Sequence, residues 1–163
     1  ARRIGTVFTP GEVNSVFYKQ QLEAKARASG FEWHDVGVAA AGDVSDAAAA
    51  LLANHLDALT QIADNLISSS FPAIAAAAQR AKVPIFTYSP TATGAMIIVA
   101  RDYYDNGVQS GLIAARVMRG ERPADIPFLS VPTINYIVNQ KVAQQLGITI
   151  PPALRAKASK VIE

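Results

Sequence analysis

The sequence predicts an α/β protein: an open parallel sheet with helices on both faces, in three α/β/α layers. Short apolar runs (residues 4–9, 56–63, 83–88 and 95–100) alternate with helical stripes, the pattern of strand–helix units around a parallel sheet. These strands empty into polar segments at their carboxyl ends: Pro10–Ser15, Asp64-Asn65 and Ser89–Gly94. Glycine and proline stand where helices should stop. In a sheet of order 2-1-3-4-5 the first and third strands are neighbours, and ligands bind beyond the carboxyl ends where the order reverses. The tips of strands 4–9 and 56–63 then form a cleft.

The first strand leads into a helix over 13–29, with Val13, Val16, Phe17, Ala24 and Ala28 on one face and Gly30 as its stop. Residues 31–38 set Glu32, His34 and Asp35 among apolar neighbours, which suits an edge strand with one wet face. His34 is expected to point to water there, and Trp33 to pack. Asp43 is placed to cap a helix whose Val44, Ala47, Ala48 and Leu51 make an i, i+3, i+4, i+7 stripe. After the central strand, Ser69 or Ser70 caps a helix burying Phe71, Ile74, Ala75 and Ala78, with Pro72 in its first turn.

Residues 102–119 carry the longest stripe: Tyr104, Val108, Gly111, Leu112, Ala115 and Met118. Gly107 and Gly111 point to close packing of this helix on the sheet, and Gly120 ends it. Beyond Asp125 the character changes. Residues 128–131 and 134–139 are short apolar pieces split by Pro132-Thr133, followed by a helix over 140–146 and another opened by Pro151-Pro152. The expected division is a ligand-binding unit over 1–125 and an appendage over 126–163.

Half of the 163 residues are hydrophobic, enough for a substantial core. The net charge of +2 comes from scattered basic residues, most of them in last turns of helices. No basic stripe interleaved with aromatics exists, so no nucleic-acid partner is expected. The absence of cysteine excludes a disulfide scaffold and thiol chemistry. The apolar runs 47–53 and 95–100 are too short to span a membrane. The chain opens on Ala1 and directly into a strand, so a processed chain or part of a longer one is expected, without a signal peptide of its own.

Catalytic motifs are absent: no Walker loop, no G-x-G-x-x-G, no G-x-S-x-G and no H-E-x-x-H. His34 and His55 lie too far apart to pair as ligands, so neither a metal nor a cofactor is expected. Asp43/Asp46 and Asp102/Asp105 fit helix first turns. A binding protein, not an enzyme, is the expectation.

Candidate ligand-binding residues are those at the strand tips. Asn14 and Ser15 open a helix, where N–H groups and the dipole favour a ligand carboxylate; simple capping is the alternative. Asp64 and Asn65 offer a carboxylate for an amine and an amide for a polar group, or else an N-cap. Ser89 and Thr91 offer hydroxyls from a turn that Pro90 and Gly94 already explain. Asp102 and Tyr103 open the long helix. Tyr103 lies off the apolar stripe and can wall the cleft, while Tyr104 falls on the stripe as a core residue and Asp102 equally suits an N-cap.

Three stretches taken together carry a resemblance: PGEVNS (10–15), RDYYDNGVQSGLIAARVMRGERPADIP (101–127) and NQKVAQQLGITIPPALRAKASKVIE (139–163). They resemble the substrate-binding proteins of ABC importers with the type I periplasmic-binding fold, in the branch that includes aromatic amino-acid binders. The resemblance implies a flavodoxin-like or Rossmann-like C-terminal lobe of a two-lobed protein, with the first lobe missing upstream. It also implies a small-molecule ligand, an amino acid by family alone, caught by hinge closure, and delivery to ABC permease subunits. The implied location is periplasmic or otherwise extracytoplasmic. Residues 125–139 would return toward the first lobe, leaving apolar surface over 128–138 exposed or self-paired, with a homodimer through this tail one outcome. The family often carries an acid in the loop 89–94, which TYSPTATG lacks, and a small or apolar residue where Arg101 stands. The alternatives are the sensory core of a transcription regulator and a stand-alone flavodoxin-like domain.

Overall fold

The computed structural model describes residues 1–163. Seven strands form one sheet in the order β2-β1-β3-β4-β5-β6-β7. They are β1 (Arg3–Phe8), β2 (Glu32–Gly37), β3 (Ala58–Thr60), β4 (Ile85–Thr87), β5 (Ile97–Arg101), β6 (Ile134–Asn139) and β7 (Lys160–Ile162). The first five are mutually parallel, in the 2-1-3-4-5 order expected. The helices are α1 (Val13–Ala28), α2 (Val44–Leu52), α3 (Asn65–Ser69), α4 (Phe71–Arg80), α5 (Tyr103–Met118), α6 (Gln140–Leu146) and α7 (Pro152–Ala156).

The main core lies on one face of the sheet. Val7, Leu59, Ile85, Ile98 and Ala100 point to this side and meet α2 and α4. All four residues of the predicted α2 stripe are buried, as are Phe71, Ile74, Ala77 and Ala78 of α4. Each fully buried aliphatic or aromatic side chain here contributes about 1.5–3 kcal/mol. The predicted single helix after the central strand is instead α3 and α4, parted at Ser70. Neither Ser69 nor Ser70 caps α4 with its side chain: the Ser69 hydroxyl turns back to the Leu66 carbonyl. Asp43 likewise stands at the start of α2 without a capping bond. Gly30 and Gly120 do end their helices, at φ of +78° and +97°, a region that glycine enters without Cβ strain.

On the other face α1 covers β1 and β2, but not with the residues expected. Val13 and Phe17 are exposed, while Ser15 and Ala26 are buried and Lys19 and Leu22 half-buried. A lysine is tolerated inward because its ammonium reaches Glu23 at 3.1 Å and Asp35 at 3.5 Å, and lies 5.3 Å above the centre of the Phe8 ring. His34 does not point to water either: its Nε2 is buried, 2.9 Å from the Glu32 carboxylate. Trp33 is packed as expected, and its indole N–H donates to Asp35.

The division at residue 125 needs correction. β6 pairs with β5 along its whole length, Ile97 facing Val138 and Arg101 facing Ile134, and β7 adds parallel to β6. Val138, Ala143 and Ile150 close a second core with Met96 and Ile97. The tail therefore completes this sheet. Residues 128–131 form no strand, and Phe128 and Leu129 are exposed, but β6 beyond them is paired. The element without a place is α5. None of its residues is buried, Tyr104 and Met118 are 85% and 87% exposed, and a Cβ built on Gly107 or Gly111 would meet nothing within 4 Å. The stripe is real, but it does not pack on this sheet.

Candidate functional site

The parallel strands deliver their carboxyl ends to one edge, and the residues beyond them gather there. Asp64 follows β3 and is 2% exposed. Its Oδ2 accepts from the Thr9 N–H at 2.8 Å and the Ser15 hydroxyl at 2.6 Å. Its Oδ1 accepts from the Thr9 hydroxyl at 3.0 Å and the Ile67 N–H at 2.7 Å. A carboxylate has about four acceptor positions, so this one is filled. Asp64 pins the tip of β1 and the start of α1 to the tip of β3 while capping α3. It does not present its charge to an amine. Ser15 is equally buried and accepts from the Thr9 N–H at 2.9 Å, which takes it out of reach of a ligand carboxylate.

What lies on the surface above this clamp is Glu12, Asn14 and Asn65. The Glu12 carboxylate accepts from the backbone N–H of Asn65 at 2.9 Å, that of Leu66 at 3.1 Å, and the Asn65 amide at 2.8 Å. These donors, led by the Asn65 backbone, hold its carboxyl below the ordinary range. Asn14 donates to the Ala63 carbonyl at 2.9 Å. Only the fold brings Glu12 to the start of α3. Its sequence signals are its place in PGEVNS (10–15) and its position four residues beyond the end of β1.

Beside the clamp a chain of polar groups crosses from β3 to β4. The Thr87 hydroxyl donates to Gln61 Oε1 at 2.6 Å, Gln61 Nε2 reaches Ser68 at 3.4 Å, and the Ser68 and Tyr88 hydroxyls lie 3.1 Å apart. Ser89 and Thr91, 3.1 Å apart, line a polar hollow of about 180 Å³ with Gln61 and Ser68. Gln61, Ser68 and Tyr88 were not expected at the site, because a lone Gln or Ser at a strand end reads as loop chemistry.

Asp102 and Tyr103 lie beyond β5, two strands or roughly 10 Å from the β3 tip. Asp102 caps α5, accepting from the Asp105 N–H at 3.0 Å and from the Asn135 amide at 3.0 Å. These bonds lower its pKa, the Asp105 backbone bond most. Tyr103 is exposed at the edge, and Tyr104, expected in the core, is exposed too. The Arg101 guanidinium donates to the Val131 carbonyl. Of the eight predicted residues, the structure thus places Asn14, Asn65, Ser89, Thr91 and Tyr103 on the open edge. Ser15, Asp64 and Asp102 hold the elements in place.

The sequence profile of the ABC transporter substrate binding protein family matches residues 1–162. The chain belongs to this family. A tyrosine-binding protein of Clostridioides difficile strain R20291 is 28% identical over 150 residues, 91% of this chain and 43% of that protein. Among solved structures, a conserved domain protein from Vibrio cholerae O1 biovar El Tor is 30% identical, with a TM-score of 0.87, covering 98% of this chain and 54% of that one. An ABC domain from Streptococcus pneumoniae in complex with L-Trp is 29% identical, with a TM-score of 0.85, covering 99% and 56%. The chain of this substrate-binding family member spans about half the length of the relatives it matches.

Proposed function

We propose that this chain is the C-terminal, solute-binding lobe of an ABC importer's extracytoplasmic binding protein. It takes a free amino acid with an aromatic side chain at the carboxyl edge of β1, β3, β4 and β5, and closes over it against a companion lobe. The observation that carries this is the collection of Glu12, Asn14, Asn65, Ser89, Thr91 and Tyr103 on one open sheet edge, in a member of this family. The tyrosine-binding and L-Trp-bound relatives support the ligand class. Glu12, its carboxyl held below the ordinary range at the edge, supplies through Oε1, which accepts only from the Leu66 N–H, the negative charge for a ligand ammonium that the loop 89–94 lacks. Asn14 and Asn65 orient polar groups, and Tyr103 provides an aromatic wall.

Function then consists of capture and release to membrane permease subunits, with no bond made or broken. The match to chains about twice as long covers α5 as well, which supports a companion lobe as the surface α5 serves. Calorimetric titration with L-tyrosine and L-tryptophan tests the ligand class. Weak binding is expected, since one wall of the cleft is absent, and Tyr103→Ala should weaken it about tenfold. Equal heats from sugars and aromatic amino acids, or affinity indifferent to Tyr103, would contradict the assignment.

A further inference from the structure

The polar chain between β4 and β3 has a direction. The Ser89 backbone N–H, which can only donate, reaches the Thr87 hydroxyl oxygen at 3.0 Å. The Thr87 hydrogen is thereby turned to Gln61 Oε1, at 2.6 Å. Oε1 is thus the accepting end of the Gln61 amide, and Nε2 faces Ser68. Thr87 and Gln61 are 5% and 7% exposed, so neither turns over without leaving a polar atom unpaired away from water. Ser68 and Tyr88 come last in the chain, at the surface, with their hydroxyl oxygens 3.1 Å apart. They have two hydroxyl hydrogens between them and one gap to bridge. Whichever donates, one hydrogen is left over at the open edge. Ser68 is polarised by Gln61, and hydrogen bonds in series strengthen one another when they run the same way. Ser68 then donates to Tyr88, and the spare hydrogen is that of the phenol.

This donor stands beside the acid of the same edge. Asn65 and Ser68 are three residues apart on one side of α3, with about 5–6 Å between their Cβ atoms. The Asn65 amide holds the Glu12 carboxylate at 2.8 Å, and the Ser68 hydroxyl holds Tyr88. A carboxylate and a neutral donor are therefore kept about one helical turn apart. We propose that Tyr88 donates its hydroxyl hydrogen to the α-carboxylate of the solute while Glu12 Oε1 receives its α-ammonium, so that the edge reads the zwitterionic head of a free amino acid. The two head groups sit on a single carbon, and each adds a hydrogen bond of about 2.8 Å, a reach that suits the spacing. Gln61 and Thr87 touch no ligand; they are positioning residues that set which way the chain points. Aromatic amines and aromatic acids each satisfy one end of this pair and leave the other without a partner, so both are discriminated against. The inference rests on the solute reading above and adds which end of the ligand meets β4.

Titration of the 163-residue chain with L-tryptophan, tryptamine and indole-3-propionate, followed by amide chemical shifts, separates the two ends. Tryptamine lacks the carboxylate, and indole-3-propionate lacks the ammonium. Tyr88→Phe should weaken L-tryptophan about tenfold, through the loss of a hydrogen bond to a charged group, and leave tryptamine unchanged. Glu12→Gln should weaken L-tryptophan and tryptamine and leave indole-3-propionate unchanged. Thr87→Val cuts the chain and should act as Tyr88→Phe does, whereas Thr87→Ser keeps the hydroxyl and should retain the affinity of the parent chain. A merely structural role would move all three ligands together. Equal losses of L-tryptophan and tryptamine in Tyr88→Phe, or L-tryptophan affinity indifferent to that change, would overturn the role of Tyr88 while aromatic binding at the edge stands. No shifts with L-tryptophan up to its solubility limit would overturn the solute reading and this inference with it.

Discussion

Asp64 concentrates more of the local structure than any other polar side chain at the strand tips. Its replacement by alanine takes the acceptor from the Ile67 N–H and from the Thr9 and Ser15 hydroxyls in a buried place, and leaves the Thr9 N–H only Ser15. The expected cost, from lost charge-assisted bonds and a lost cap, is on the order of 3 kcal/mol, read as a lower urea midpoint. Glu12 behaves differently because it lies half-buried at the surface. Its carboxyl is held low in the folded chain, so the bonds it makes stabilise the fold fully above the ordinary carboxylate range of about 4 and are lost as pH falls through its folded value. The variant Glu12→Gln should flatten part of the acid limb of a stability–pH curve while leaving stability near neutrality less affected than Asp64→Ala does. An unchanged acid limb would show that Glu12 is not held as described. The pair Asp64-Asn65 is read from sequence as a candidate site, but the structure turns Asp64 inward and leaves Asn65 at the surface. An acid beside a switch point suggests a charge for the ligand, whereas four donors converging from three elements turned it inward and left Glu12 outside.

At the scale of elements, periodicity reports that a face is to be buried, not against what. It located α2 residue by residue, since Val44, Ala47, Ala48 and Leu51 all reach the core. It located the α5 stripe equally well and misplaced its destination, because none of the α5 residues is buried against this chain's sheet. α1 was misread for another reason: Lys19 occupies an inward position made tolerable by two carboxylates and an aromatic ring. The tail was misread because β6, although it coincides with the apolar piece 134–139, follows Pro132 and β7 is only three residues long, and neither shows locally that it joins the sheet at β5. Two substitutions separate these cases. Val138→Ala should cost on the order of 2 kcal/mol, since its side chain is fully buried between β5 and α6. Leu112→Ala on α5 should change the monomer's unfolding free energy by less than about 0.5 kcal/mol. Under conditions that keep the chain monomeric, amide exchange should be faster along α5 than along α2 or α4, which are anchored in the core.

For the molecule as a whole, the order of the first five strands was readable from alternation, and the polar strand tips pointed to the carboxyl edge that is proposed as the site. The seven-stranded closure was not, because strands added late in the chain carry no local mark of the sheet they join. The fold places one polar edge and one projecting helix on a chain about half the length of its relatives. The most direct measurement is amide chemical-shift mapping during titration with L-tryptophan. Shifts confined to residues 12–15, 61–68, 87–91 and 101–104 are expected, fading in Tyr103→Ala. Shifts centred instead on the separate hollow between α4 and α6, lined by Gln79, Val142 and Gln145, or none at saturating ligand, would contradict a solute site at the carboxyl edge.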